Sequence, residues 1–500
     1  RTPTGSPAVS ARRPERSRVA RLVLAGLLGA ILLGAWLGPR GLGSSRIHAW
    51  NWYHYYLGAK YFDEVGYVGL YEQTIVAQRE DDGPLATIDG IRDLESYEVV
   101  RPPPGLRRDP RFSDARWAAF KADVAVLAPM LSVATWRKVL TDRGYNATPA
   151  ADALQRPLVG VLDLDSPAHR WLAKWFDVGG VMVMTALVWW AFGWEMAVLV
   201  LAALFLFPPN PGRFLGGLIK YDWLFAIVLV PVCLRRDRPL LAGLALGFAT
   251  SLRVFPAVFL GAFVARALVR LYDERALPRR ELTVMAGFAA ALTLGLAVGA
   301  LPPGGTDRWR AFAAKIGEHN AEMTYGEGRV GLRHLFTHRP GADAESIPER
   351  RDNLDGARLP VLVTQAILLG LLAVALRRRD ELDALVLMSI ALFTLSVASH
   401  YYWSILALWA LLLRDGPAAR ARWWRSWRGW VGPAIALVPS LLFRIYDRFQ
   451  PDGYLQWIFM DACLLIAFAV VLVGFIVGDL REAGGWRGWI ARRPAAQAPG

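Results

Sequence analysis

Apolar runs recur along nearly the whole chain, beginning at about residues 19, 178, 195, 215, 239, 255, 282, 358, 382, 401, 430 and 456. A helix needs roughly 20 apolar residues to cross a hydrocarbon core ~30 Å thick. The pattern therefore predicts an all-α polytopic membrane protein with about 11–12 transmembrane helices and a folded first outer loop. Two pairs of runs adjoin closely, 239–252 with 255–270 and 382–399 with 401–413, as broken or tilted helices would. The first run, Val19 to Leu37, follows Arg12, Arg13, Arg16 and Arg18, and no small-residue cleavage site comes after it. It is expected to stay as a signal anchor.

Polar stretches divide the chain into a tail (1–18), a first span (19–38), a large outer, periplasmic loop (39–175), spans (176–301), a second outer loop (302–357), spans (358–480) and a second tail (481–500). In the first loop, Trp50 to Phe62 and Ser113 to Val139 carry helical patterns, separated by the extended break of Pro102–Pro104. The second opens with Pro302-Pro-Gly-Gly305. Trp309, Phe312, Ile316, His319 and Met323 follow at helical spacing, which predicts an amphipathic helix along the membrane interface.

Composition agrees: 54% of residues are hydrophobic and 21 are Trp, too apolar for ordinary soluble domains. The net charge of +14 comes largely from arginine clusters before Val19, at Arg235–Arg238, Arg266–Arg280, Arg377–Arg379 and Arg414–Arg428, and after Asp479. A twelve-helix alternation with both termini in the cytoplasm places every cluster on the cytoplasmic side, as the positive-inside rule requires. There the arginines meet anionic membrane lipids, and no nucleic acid is needed to explain them. Cys233 and Cys463 both sit in apolar runs, so no disulfide framework or cysteine metal site is available.

Signatures of soluble enzymes are missing, which directs attention to polar groups at the outer membrane surface and inside apolar runs. The densest stretch is Asn51-Trp-Tyr-His-Tyr-Tyr-Leu-Gly-Ala-Lys-Tyr-Phe-Asp-Glu64. On a regular helix Asn51, Tyr55 and Gly58 share one stripe, and Trp52, Tyr56, Ala59 and Asp63 the next. Rings with polar tips beside His54, Lys60, Asp63 and Glu64 suit a sugar, whose apolar face they cover and whose hydroxyls they bond. An interfacial aromatic belt also places Tyr and Trp at this depth but does not require those charges. Lys220 and Asp222 interrupt the fourth run; they are expected to pair or to face a water-filled cavity. Arg253, three residues before Pro256, stands where a broken helix would line a cavity, and its guanidinium suits a phosphate. Ser399-His-Tyr-Tyr402, with His400 and Tyr401, marks another junction, and Glu318-His319 and Arg329 to His334, with Arg333, complete the set.

These residues resemble the GT-C superfamily of polyprenol-phosphate-sugar-dependent glycosyltransferases, especially glycosyltransferase family 87. Tyr55-Tyr-Leu-Gly-Ala59 and, more loosely, Gly66 to Tyr71 are similar to the family's aromatic helix and the turn that follows it. The small-residue run Ala242 to Pro256 is similar to a later motif, with Arg253 in place of Lys, and Gly331-Leu-Arg-His-Leu335 to a segment of the second loop. The resemblance implies a multi-pass protein of the bacterial cytoplasmic membrane. It would move a hexose or pentose, as in mannosyltransferase-like enzymes, from a polyprenyl-phosphate donor to a lipid or glycan acceptor with inversion. No metal or organic cofactor is implied, and a divalent cation is left open. The family's base is an Asp about four residues before the Tyr, where this chain has Asn51. The resemblance then leaves Asp63, Glu64 or His54 as the catalytic candidates. Asn51, Tyr55, Tyr56, Lys60, Asp222, Arg253, His319, Arg333, His400 and Tyr401 would bind substrate.

Three other readings compete. A transporter fits an even number of spans, although the halves show no internal symmetry. An O-antigen ligase or polymerase shares the outer-loop architecture, and Asn51 favours a non-catalytic membrane protein. The topology common to all has a direct test. In intact cells, Ser132→Cys is expected to react with an impermeant thiol reagent and Ala418→Cys to stay protected; the reverse pattern would overturn the orientation.

Overall fold

The computed structural model describes residues 13–38, 41–208, 210, 214–342, 345–413, 427–449 and 452–490. Arg12, part of the turn at 208–214, most of the Arg414–Arg428 cluster and residues 491–500 lie outside the described residues. The chain is an all-α polytopic membrane protein. Five helices are long and apolar enough to cross a membrane: Pro167–Phe192, Phe255–Asp273, Arg279–Gly299, Arg358–Leu376 and Gly453–Glu482. Shorter apolar helices accompany them at Leu22–Leu37, Trp194–Phe205 and Pro239–Leu252.

Several of the expected runs are thus short or broken, for identifiable reasons. The run beginning near residue 215 becomes helical only from Asp222 to Arg235, after the charged interruption at Lys220. Helix Pro239–Leu252 ends at Arg253, which is extended (φ −146°, ψ 127°), and a 3-10 turn at Phe255–Phe259 starts the next helix around Pro256. Helix Glu381–Leu395 gives way to a short strand at Ala398–Ser399 and then to a 3-10 coil, His400–Leu413. Small residues explain the tightest contact in the bundle. A Cβ on Gly247 would strike the Phe288 backbone and one on Gly287 the Leu240 carbonyl, so helices 239–252 and 279–299 approach almost backbone to backbone.

The segment between helices Leu22–Leu37 and Pro167–Phe192 packs its aromatic rings into a core continuous with that of the bundle. Tyr61 meets Phe120 edge-on at 5.0 Å, and Tyr53 meets Trp136 at 5.1 Å, all four rings fully buried. Its polar seams are ion pairs, Lys60 to Asp123 at 2.8 Å and Arg116 to Glu64 at 2.5 Å. Docking onto the bundle uses groups that the broken helices leave over. The last carbonyls of a helix have no partner within it. The Thr148 hydroxyl, which also caps helix Pro149–Gly160, donates to the Ser251 carbonyl at 2.5 Å. Trp52 Nε1 donates to the Gly216 carbonyl at 3.1 Å, and Arg308 reaches buried Asp152 at 2.7 Å.

Two small antiparallel ladders are present among the described residues. β1 (Ile91–Arg92) pairs with β2 (Val99–Val100), while β3 (Arg329–Val330) pairs with β4 (Ala398–Ser399) in the register Arg329 to Ser399. The second ladder ties the segment after helix Asp307–Met323 to the junction before His400. Buried Asp461, on helix Gly453–Glu482, holds that turn from below, accepting from the Gly331 N–H at 3.0 Å and meeting His334 Nδ1 at 2.7 Å.

Candidate functional site

All of these irregular junctions open onto one cavity of about 1270 Å³, lined by residues from helix 49–65, the 141–148 loop, Lys220, the 253–255 break, helix 307–323, the 326–333 turn and the 396–402 junction. Pockets that hold a single drug-sized ligand run to roughly 1,000 Å³. This one is somewhat larger.

Helix 49–65 presents its residues in an unexpected register because Tyr53–Leu57 forms a π turn. Such turns insert an extra residue per turn and often mark functional sites. Asn51, His54 and Tyr55 line the cavity. Gly58 allows the helix to lie against Tyr145: a Cβ there would stand 2.6 Å from the Tyr145 ring. The stripe of Trp52 and Tyr56 packs into the segment's core with no exposed surface. Tyr56 therefore serves the interior, its hydroxyl donating to the Leu162 carbonyl at 2.9 Å.

Cations meet at one phenol. Lys220 Nζ donates to Tyr55 Oη at 3.2 Å and Arg253 Nη2 to the same oxygen at 3.1 Å. The Lys220 ammonium also lies 4.1 Å from the centre of the Tyr401 ring. Both cations are buried, and Arg253 Nε has no partner. Lys220 is held by its backbone, whose N–H donates to Asp177 at 3.2 Å and whose carbonyl accepts from Trp223 Nε1 at 3.1 Å.

Further along the cavity sits Asp142, whose carboxylate accepts from Trp50 Nε1 at 2.8 Å. Burial alone would raise its pKa, but His54, Arg329, Arg143 and the indole hold it below its ordinary value. It stays ionised throughout the physiological range. His54 Nδ1 faces the Trp50 carbonyl at 2.9 Å and so carries the proton, while Nε2 accepts from the Tyr71 hydroxyl at 2.8 Å. With both nitrogens engaged and burial lowering its pKa, His54 positions the helix and is not poised to take a proton.

Of the residues expected to bind or react, Asn51, His54, Tyr55, Arg253, His319, Arg333, His400 and Tyr401 line the cavity. Asn51 is buried with its Nδ2 unpartnered, and Arg333 is exposed. The structure does not bring the others there. Asp63 is bound by Arg156 Nη1 and Nη2 at 2.8 and 2.9 Å, Glu64 by Arg116, and Lys60 by Asp123. Asp222 accepts from the Trp223 N–H at 2.8 Å at the start of its helix and is not among the lining residues. The stripe expected to hold sugar is core, and its carboxylates close surface seams. The amphipathic helix also turns out differently. Phe312, Ile316, His319 and Met323 face the cavity, so this helix roofs the site. Asp142 and Arg143 were hidden in the sequence; Thr141-Asp-Arg-Gly144 has the composition of an ordinary surface turn.

A family model described as glycosyltransferase family 87 matches residues 164–400. Over this stretch, a little under half of the chain, the sequence is similar to glycosyltransferase family 87. The matched region contains Lys220, Arg253, Arg329, Arg333 and His400. No curated protein and no solved structure gives a match. The likeness supports a membrane glycosyltransferase. Among the described residues no group of three or more His, Cys, Asp or Glu side chains could hold a metal ion. Charged lining residues are mostly cationic: eight Arg and Lys side chains against the carboxylates of Asp142, Glu327 and Glu345.

The buried histidines give a pH dependence. His319 is lowered to about 3, first by burial and then by Arg329 and Arg143. Its neutral form is favoured in the fold, so the unfolded chain binds more protons below the ordinary imidazole pKa, and stability falls with pH there. Thermal unfolding in detergent should therefore move to lower temperature on acidification from about pH 7 to about pH 4. His319→Gln should flatten that slope; an unchanged slope would remove His319 as its source.

Proposed function

We propose that the chain transfers a sugar from a polyprenyl-phosphate donor to a hydroxyl of a lipid or glycan acceptor, at the outer face of the bacterial cytoplasmic membrane. One observation carries this reading: Arg253 and Lys220 converge on Tyr55 Oη in the same cavity as an ionised carboxylate, Asp142. The phosphodiester joining lipid to sugar carries one negative charge that two buried cations would hold, and the charge grows as the bond to the sugar breaks and the lipid phosphate monoester departs. Arg253 offers a fork of donors suited to phosphate oxygens. The lipid tail of such a donor would reach the cavity from the bilayer, so no nucleotide-binding fold is needed.

In this mechanism Asp142 takes the proton from the acceptor hydroxyl as that oxygen attacks the anomeric carbon. The new bond forms on the face opposite the departing phosphate, inverting the centre. The bonding pair leaves with the lipid phosphate, and Lys220 and Arg253 stabilise the charge that develops there. Asn51, with its amide donor turned into a buried site, would bond a sugar hydroxyl. Tyr401 would cover an apolar sugar face.

The reading replaces the base expected near the aromatic helix with Asp142 from the next loop. General-base catalysis contributes roughly 10²–10⁴-fold, so Asp142→Asn should depress transfer from polyprenyl-phosphate sugars by about that factor. Asp63→Asn, in a seam away from the cavity, should retain turnover once folded. Arg253→Lys should raise the KM for donor because a point charge loses the fork. Full activity in Asp142→Asn together with loss in Asp63→Asn would return the base to the aromatic helix.

A further inference from the structure

Arg143 and Arg329 form a second concentration of positive charge in the cavity, on different elements from Lys220 and Arg253. Arg329 is 9% exposed, and its Nη1 donates to Ser399 Oγ at 2.6 Å across the β3–β4 ladder. Its Nε has no partner. Arg143 donates through Nη2 to the Glu322 carbonyl at 3.1 Å, and its Nε is also without one. Both guanidinium groups flank a notch over Gly326, where a Cβ would stand 2.9 Å from Arg143 Nη2 and 3.3 Å from Arg329 Nε. Two like charges, Arg329 buried and Arg143 half-buried, stand side by side with donors unused, an arrangement that favours an anion joining them. Asp142 supplies one negative charge to the pair, and its bonded partner is the Trp50 indole. Burial, followed by the neighbouring Arg143, lowers the Arg329 pKa to about 9.

We propose that Arg143 and Arg329 form an anion-binding subsite that takes a phosphate or carboxylate group of the acceptor. The assignment to the acceptor rests on the function proposed above; the anion site itself does not. Asp142 immediately precedes Arg143 in the same loop, so an acceptor anchored by its charge would lay a hydroxyl against the base. The donor's phosphate is taken up by the other pair of cations. One cavity then holds two anionic substrates without bringing their charges together.

The test is equilibrium dialysis of labelled inorganic phosphate against the full chain in phosphatidylcholine nanodiscs. Two classes of site are expected. Arg329→Gln and Arg143→Gln should each weaken one class by roughly tenfold or more, the usual cost of a lost charged hydrogen bond. The other class, sensitive to Arg253→Gln, should be unchanged in both variants, which also reports that they fold. Added polyprenyl phosphate should displace phosphate only from the Arg253-sensitive class. Unchanged phosphate binding in both Arg143 and Arg329 variants would overturn the subsite. Displacement from it by phosphatidylglycerol in the nanodisc would assign it to a membrane lipid and overturn the acceptor assignment. Where transfer is measurable, Arg329→Gln should raise the KM for acceptor and leave that for donor. Absence of any transfer would sink the proposed function, while dialysis would still decide the subsite.

Discussion

A buried guanidinium must be given oxygens to bond, and at Arg253 the fold supplies one neutral phenol. Removing an ion from water costs several kcal/mol even after the surroundings relax. Some arginines inside this chain are compensated by carboxylates: Arg308 by Asp152, Arg377 by Asp273 at 3.0 Å, and Arg379 by Asp479. Arg253 instead shares Tyr55 Oη with Lys220 and keeps Nε unbonded. Much of the surrounding structure follows from holding that arrangement. The helix ends at Leu252 so that Arg253 can run extended, and Thr148 satisfies a carbonyl released by the break. The π turn at 53–57 brings Tyr55 round to meet the cations.

The breaks were legible in the sequence because they are chemical. Pro256 after Arg253, the charges at 220 and 222, and Ser399-His-Tyr-Tyr402 interrupt apolar runs at places where an unbroken helix would be costly. The family likeness was legible too, in the small-residue run before Arg253, which lies within the matched stretch; Tyr55-Tyr-Leu-Gly-Ala59 lies outside it. Helix lengths were less so. Apolar composition cannot distinguish a full span from a short helix followed by a 3-10 coil, as at Glu381–Leu395 and His400–Leu413.

The carboxylates could not be sorted by position along the chain. Asp63 and Glu64 lie nearest the aromatic helix in sequence, yet Arg156 and Arg116 reach them from elsewhere in the fold. Asp142 is 91 residues from Asn51 and enters only because Trp50 donates to it across the segment's core. A regular-helix assumption also hid the change of face that the π turn introduces. The stripe assigned to a ligand is core: Trp52 stacks on Tyr56, and the neighbouring Tyr53 and Tyr61 pack on Trp136, Phe120 and Phe112.

The central claim is that a lipid phosphate completes the coordination of Arg253 and Lys220. The most direct measurement is a cryo-EM structure of the protein in nanodiscs with bound polyprenyl phosphate. The phosphate should lie within hydrogen-bond distance of both Arg253 and Lys220, with its chain leading into the bilayer. A phosphate bound instead at Arg143 and Arg329, or outside the cavity, with Arg253 unchanged against Tyr55, would contradict the account.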